Sequence, residues 1–69
     1  MSQKELLYLE DAIGHEKAMI AYLENAKTSL DDEDLVDFID DNLKHHQSLE
    51  KKLCKILEDY ANEWSNDTR

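Results

Sequence analysis

Ser29-Leu30-Asp31-Asp32-Glu33-Asp34 is where helical patterning stops in this chain and starts again. On either side, apolar residues recur at three- and four-residue steps, the signature of an amphipathic helix. Within the break, four acids follow one another. Asp31 reads as an N-cap, and acids in a first turn suit the positive end of a helix dipole. A calcium loop of the EF-hand kind needs a longer ligand series and a central glycine, and the run has neither. A short turn between two long helices makes an antiparallel hairpin. The expectation is therefore one all-α domain over residues 1–64. It has a helix over about 2–28, a turn over about 29–31 and a helix over about 32–64. Residues 65–69, Ser-Asn-Asp-Thr-Arg, read as a frayed polar tail.

Working outward toward the N-terminus, Leu6, Leu9, Ile13, Ile20, Leu23 and Leu30 form one row. Tyr8, Ala12, Met19, Tyr22 and Ala26 form a second row beside it. Toward the C-terminus, Leu35, Ile39, Asn42, His46, Leu49, Leu53, Ile56 and Tyr60 alternate steps of four and three. That is a heptad seam. Val36, Leu43 and Leu57 broaden it. Each helix thus carries an apolar face wider than one partner covers. Two hairpins packed together close such a core, so a homodimeric four-helix bundle is expected.

Composition narrows the function classes. Sixty-nine residues bury a modest core alone, and association is a common remedy. The formal net charge is −9, from 8 basic and 17 acidic side chains. Nucleic-acid binding draws its affinity from Lys and Arg on phosphates, so it is not expected here. Adsorption to anionic lipid is disfavoured for the same reason, and no apolar run has the length of a membrane span. The single cysteine, Cys54, has no partner for an internal disulfide or a thiol metal site. It reads as a small packing residue, and Trp64 as a rim residue. With one glycine, Gly14, there is no phosphate-cradling loop. The N-terminus lacks a secretion-signal profile, and the cytoplasm is the expected compartment.

Three polar residues interrupt the apolar rows: Glu16 in the first helix, Asn42 and His46 in the second. Folding the hairpin about residues 30 to 32 puts Glu16 opposite His46 and Ile20 opposite Asn42. The interruptions then meet at one level, with His15 and His45 at the edges of the apolar faces. A carboxylate in an apolar interior is costly unless paired, and imidazole is a natural partner. Two readings follow. Glu16, Asn42 and His46 act as a polar register device that fixes helix alignment and dimer orientation. Alternatively, Glu16 and His46, assisted by His15 or His45, hold a divalent ion such as zinc, iron or manganese in the dimer core. The adjacent His45 and His46 diverge by about 100° and cannot both enter one site. No cofactor is expected on the first reading.

Leu9-Glu10-Asp11-Ala12-Ile13-Gly14-His15-Glu16-Lys17-Ala18, with Tyr22 beyond it, resembles the first helix of ferritin-like and rubrerythrin-like half-bundles. Asn42-Leu43-Lys44-His45-His46-Gln47-Ser48-Leu49 resembles their Glu-x-x-His helix. The opening Lys4-Glu5-Leu6-Leu7-Tyr8-Leu9-Glu10-Asp11 is similar to small ferritin-like spore coat proteins of the coat F type. The resemblance spans most of residues 4–57 and implies a ferritin-like bundle, with assembly into an intracellular spore layer as one setting. It departs where the family places a bridging carboxylate. Three residues before His45 stands Asn42, and three before His46 stands Leu43. Oxidase or peroxidase activity is therefore not carried over, and enzymatic activity is not expected.

Three functions follow as expectations. The first is a small structural or protein-interaction module, homodimeric and non-enzymatic. The second is a metal-binding bundle. The third is an acidic regulator that covers a basic surface of a partner protein.

Overall fold

The computed structural model describes the backbone of residues 1–67 and the side chains of residues 1–63. It is a hairpin of two helices, α1 (Gln3–Ser29) and α2 (Glu33–Asp67), and the described residues contain no strand. The hairpin is 55 Å long and 17 by 13 Å across. No described helix is long and apolar enough to cross a membrane. Helix α2 continues to Asp67, into the segment expected as a polar tail; residues 68 and 69 of that segment, and the Trp64 side chain, lie outside the described residues.

Both helices begin on caps. Ser2 Oγ accepts from the Glu5 backbone N–H at 3.1 Å, and the Ser2 N–H donates to Glu5 Oε1 at 2.8 Å. This reciprocal capping box satisfies two backbone donors that helix geometry leaves unpaired. At the start of α2 the cap is Asp32, not Asp31. Its Oδ1 accepts from the Leu35 N–H at 2.9 Å, and its carbonyl accepts from Val36 N at 2.9 Å. The turn is thus residues 30–32, shifted by one from the expected 29–31. Asp31 stays exposed, while Glu33 and Asp34 occupy the first turn of α2.

The interface between the helices is narrow. Leu9, Ile13, Leu23 and Leu43 are its buried apolar residues among those described, and none is wholly enclosed. On α2 the face turned to α1 is rotated from the expected seam. Leu43 is the most buried, at 7% exposure, with Val36, Ile39, His46, Leu53 and Leu57 half-buried around it. Leu35 and Ile56, expected in the seam, are exposed. The reason is that α2 carries two parallel apolar rows. Periodicity reveals both, but it does not say which row meets the first partner. Near the turn, Lys27 reaches across to Asp40, Nζ to Oδ1 at 2.7 Å, and Lys44 meets the other oxygen at 3.2 Å. These two cations hold the Asp40 carboxyl below its ordinary value, Lys27 contributing most.

Candidate functional site: a polar pair and an open apolar face

The polar pair lies halfway along α1. Glu16 occupies the packed row between Ile13 and Ile20, and His46 the packed row between Leu43 and Leu53. Glu16 Oε2 and His46 Nδ1 are 2.5 Å apart, with side chains 18% and 24% exposed. With Nδ1–H donating to the carboxylate, the other ring nitrogen, Nε2, is left free. A carboxylate on one imidazole nitrogen is the usual device for orienting a metal-binding histidine. In this arrangement Glu16 acts on the imidazole and not on an ion. No group of three or more His, Cys, Asp or Glu side chains suited to a metal exists among the described residues. One chain therefore offers a single oriented nitrogen, well short of the three or four ligands zinc requires.

The other polar residues named from the sequence stand elsewhere. Asn42 is half-buried, and its amide donates to the Phe38 carbonyl on its own helix at 2.9 Å. His45 is exposed, its ring edge-on to that of His46 with centroids 5.6 Å apart. His15 is exposed on α1, where with Ala18, Met19 and Tyr22 it lines an open, mostly apolar depression. Cys54 is half-buried, two helical turns from His46, and supplies no nucleophile to the pair.

A larger feature emerges from exposure. Tyr8, Met19 and Tyr22 on α1 and Leu35, Phe38 and Ile56 on α2 are exposed, Tyr22 at 70% and Phe38 at 64%. Each stands one residue before a residue packed between the helices, as Tyr8 precedes Leu9. His15 precedes Glu16, Met19 precedes Ile20 and Tyr22 precedes Leu23. Likewise Leu35 precedes Val36, Phe38 precedes Ile39, His45 precedes His46 and Ile56 precedes Leu57. One residue is a turn of about 100° about the axis. The two helices run in opposite directions and face each other, so the same offset along each chain leads to the same side of the hairpin. The two rows make one continuous apolar face, with His15 and His45 at its middle. Residues that follow the packed ones lie on the reverse side, which is mostly polar: Glu10, Lys17 and Glu24, then Asp37, Lys44 and Glu58, with Leu7 an exposed apolar residue after Leu6. Gly14 stands on that side too, with nothing near enough to meet an added Cβ.

Tyr8, Met19 and Tyr22 are legible in the sequence as the second row of α1, and Leu35 and Ile56 as members of the heptad seam of α2. Phe38 was the least visible, because it falls off the seam drawn through Leu35 and Ile39. Comparison with family models, with curated proteins and with solved structures finds no match to this chain.

Proposed function

We propose that this chain is a non-enzymatic protein-interaction module of ferritin-like ancestry, whose hairpin joins a second copy through its apolar face to close a four-helix bundle. The observation that carries the reading is the exposure of Tyr8, Met19, Tyr22, Leu35, Phe38 and Ile56 on one side of a hairpin with a narrow core, where the reverse side exposes Leu7. A contiguous apolar surface rimmed by charge is the mark of an association surface, and small domains need such burial to be stable. The ancestry rests on the Glu16-containing and His46-containing segments that resemble ferritin-like half-bundles, and it fits a structural role such as a coat layer. Metal binding is the second reading, favoured by the orientation of His46 by Glu16. It requires a second copy to complete the ligand set.

The test is sedimentation equilibrium of the parent and of Phe38→Glu. Phe38 is exposed in the single hairpin, so the charge is tolerated there. In a bundle it enters the core, where an unpaired carboxylate is costly. The parent is expected to be dimeric at micromolar concentration and the variant monomeric. A parent that remains monomeric throughout this range, or a variant that dimerises unchanged, overturns the reading.

A further inference from the structure

We infer that the two hairpins pair head to tail, with their turns at opposite ends and a two-fold axis crossing the bundle at the level of Glu16 and His46; this rests on the proposed self-association and specifies its geometry. A face that meets its own copy across such an axis must match itself when reversed. Both rows do. On α1, Tyr8, His15 and Tyr22 are evenly spaced and read the same in either direction about His15. On α2, Leu35, Asn42, Leu49 and Ile56 are evenly spaced too. Reversal lays Leu35 on Ile56 and Asn42 on Leu49, about a centre near residues 45 and 46. The contact between Glu16 and His46 puts these two centres at one height. A single axis therefore serves both helices.

Charge selects the same orientation. Immediately before the exposed row of α2 runs a second line along its flank: Asp34, Asp41, Ser48 and Lys55. Reversed about a centre one residue nearer the turn, an offset a lysine stem spans, Asp34 of one copy meets Lys55 of the other, twice by symmetry, and Asp41 meets Ser48. Lys52 adds a further cation beside Lys55. With the turns at the same end, α2 instead lies against α1 of the second copy. The acidic start of α2 would then face residues 18–29, whose one basic side chain, Lys27, is already bound to Asp40. It would also bring two acidic blocks, residues 31–41 of each copy, to one end of the bundle, where Lys27 and Lys44 are already paired with Asp40. Like charges so placed oppose association. The head-to-tail arrangement gathers His15 and His45 of both copies at the axis, flanked by two pairs of Glu16 and His46.

The experiment is a dipolar distance measurement between spin labels on Asp31→Cys in a Cys54→Ala background, with sedimentation on the labelled protein. Asp31 is exposed in the turn. At 1.5 Å per residue, each turn lies roughly 23 Å from the axis, so head-to-tail pairing gives a separation of about 45 Å. Turns at the same end give about 25 Å or less. The long distance supports the inference, and the short one overturns it while leaving self-association standing. A labelled protein that sediments as a monomer, like its unlabelled parent, overturns both. A charge exchange provides the second measurement. Lys55→Glu should weaken the dimer roughly five-fold, and Asp34→Lys added to the same chain should restore it. The two positions are far apart along one helix, so their rescue reports a contact between copies. Loss of the Lys55–Asp59 pair within α2, at 3.0 Å, accounts for no such rescue. Failure of rescue counts against the flank pairing and overturns the inference.

Discussion

At the scale of single residues, Glu16 and His46 form a polar contact midway along the packed rows of the two helices. Its value lies in the penalty for breaking it. A partly buried carboxylate that loses its imidazole is left without its partner, and hydrogen bonds to charged groups are worth about 1.5–3 kcal/mol. Removing both partners at once leaves no orphan, and apolar replacements of similar size are often neutral or stabilising. Glu16→Leu and His46→Leu alone should each destabilise the protein by about 1–3 kcal/mol. The double variant should be less destabilised than either, in denaturant titrations at one fixed protein concentration. Additive losses in the double-mutant cycle would mean the two side chains act independently, which their 2.5 Å contact contradicts. A register device has a further signature. The double variant, less destabilised than either single variant yet less specified, should lose its single dimer orientation before it loses its fold.

Helix by helix, the hairpin is held at its ends as much as along its seam. Lys27 on α1 and Asp40 on α2 form a clip near the turn, with Lys44 as a second cation. Asp40 titrates below its ordinary value of 3.8 because the ionised carboxylate is bonded first to Lys27 and then to Lys44. A lowered carboxylate value means the folded state holds its proton less tightly than the unfolded state. The contribution is therefore complete above the ordinary value and disappears as pH falls through the lowered one. Lys27→Met should be less stable than the parent at neutral pH, and the gap should close as pH is taken well below 3.8. A gap that persists in acid would assign the loss to the packing of the Lys27 stem. The elements themselves were legible. Two helices and a turn follow from the apolar steps on either side of residues 29–34, and Ser2-Gln3-Lys4-Glu5 carries the spacing of the capping box that starts α1. Less legible was the rotation of α2, since its two apolar rows lie side by side. Choosing between Leu35 and Val36, or Asn42 and Leu43, as the inward residue needs the partner helix in place. The cap at Asp32 was hidden by its neighbour, because either aspartate satisfies the same local rule. The Glu16 and His46 level could be reached by counting from the turn, whereas the inward or outward aim of His15 and His45 depended on that rotation.

For the molecule as a whole, the question is whether one hairpin suffices. Its interior holds Leu9, Ile13, Leu23 and Leu43 and encloses no side chain completely, while Tyr8, Tyr22 and Phe38 stand in solvent. Ordering a chain of this length costs about 1–2 kcal/mol per residue in backbone entropy alone, a cost offset chiefly by apolar burial. In the proposed dimer a second copy supplies that burial, so folding and pairing should form one transition. Each copy brings a net charge of −9, and their repulsion is screened by salt. The midpoint of thermal unfolding should therefore rise with protein concentration, by several degrees over a hundred-fold range, because mass action favours the associated state. It should rise again on going from low to moderate salt. Chelator separates this from the metal reading. A bundle held by apolar faces keeps its midpoint when divalent ions are stripped, whereas one clamped by a His46-centred ion loses stability in proportion to the affinity removed. A midpoint independent of protein concentration would identify the lone hairpin as the stable unit. A midpoint that collapses in chelator would move the explanation from the face to the six histidines and two glutamates gathered at its centre in the proposed dimer.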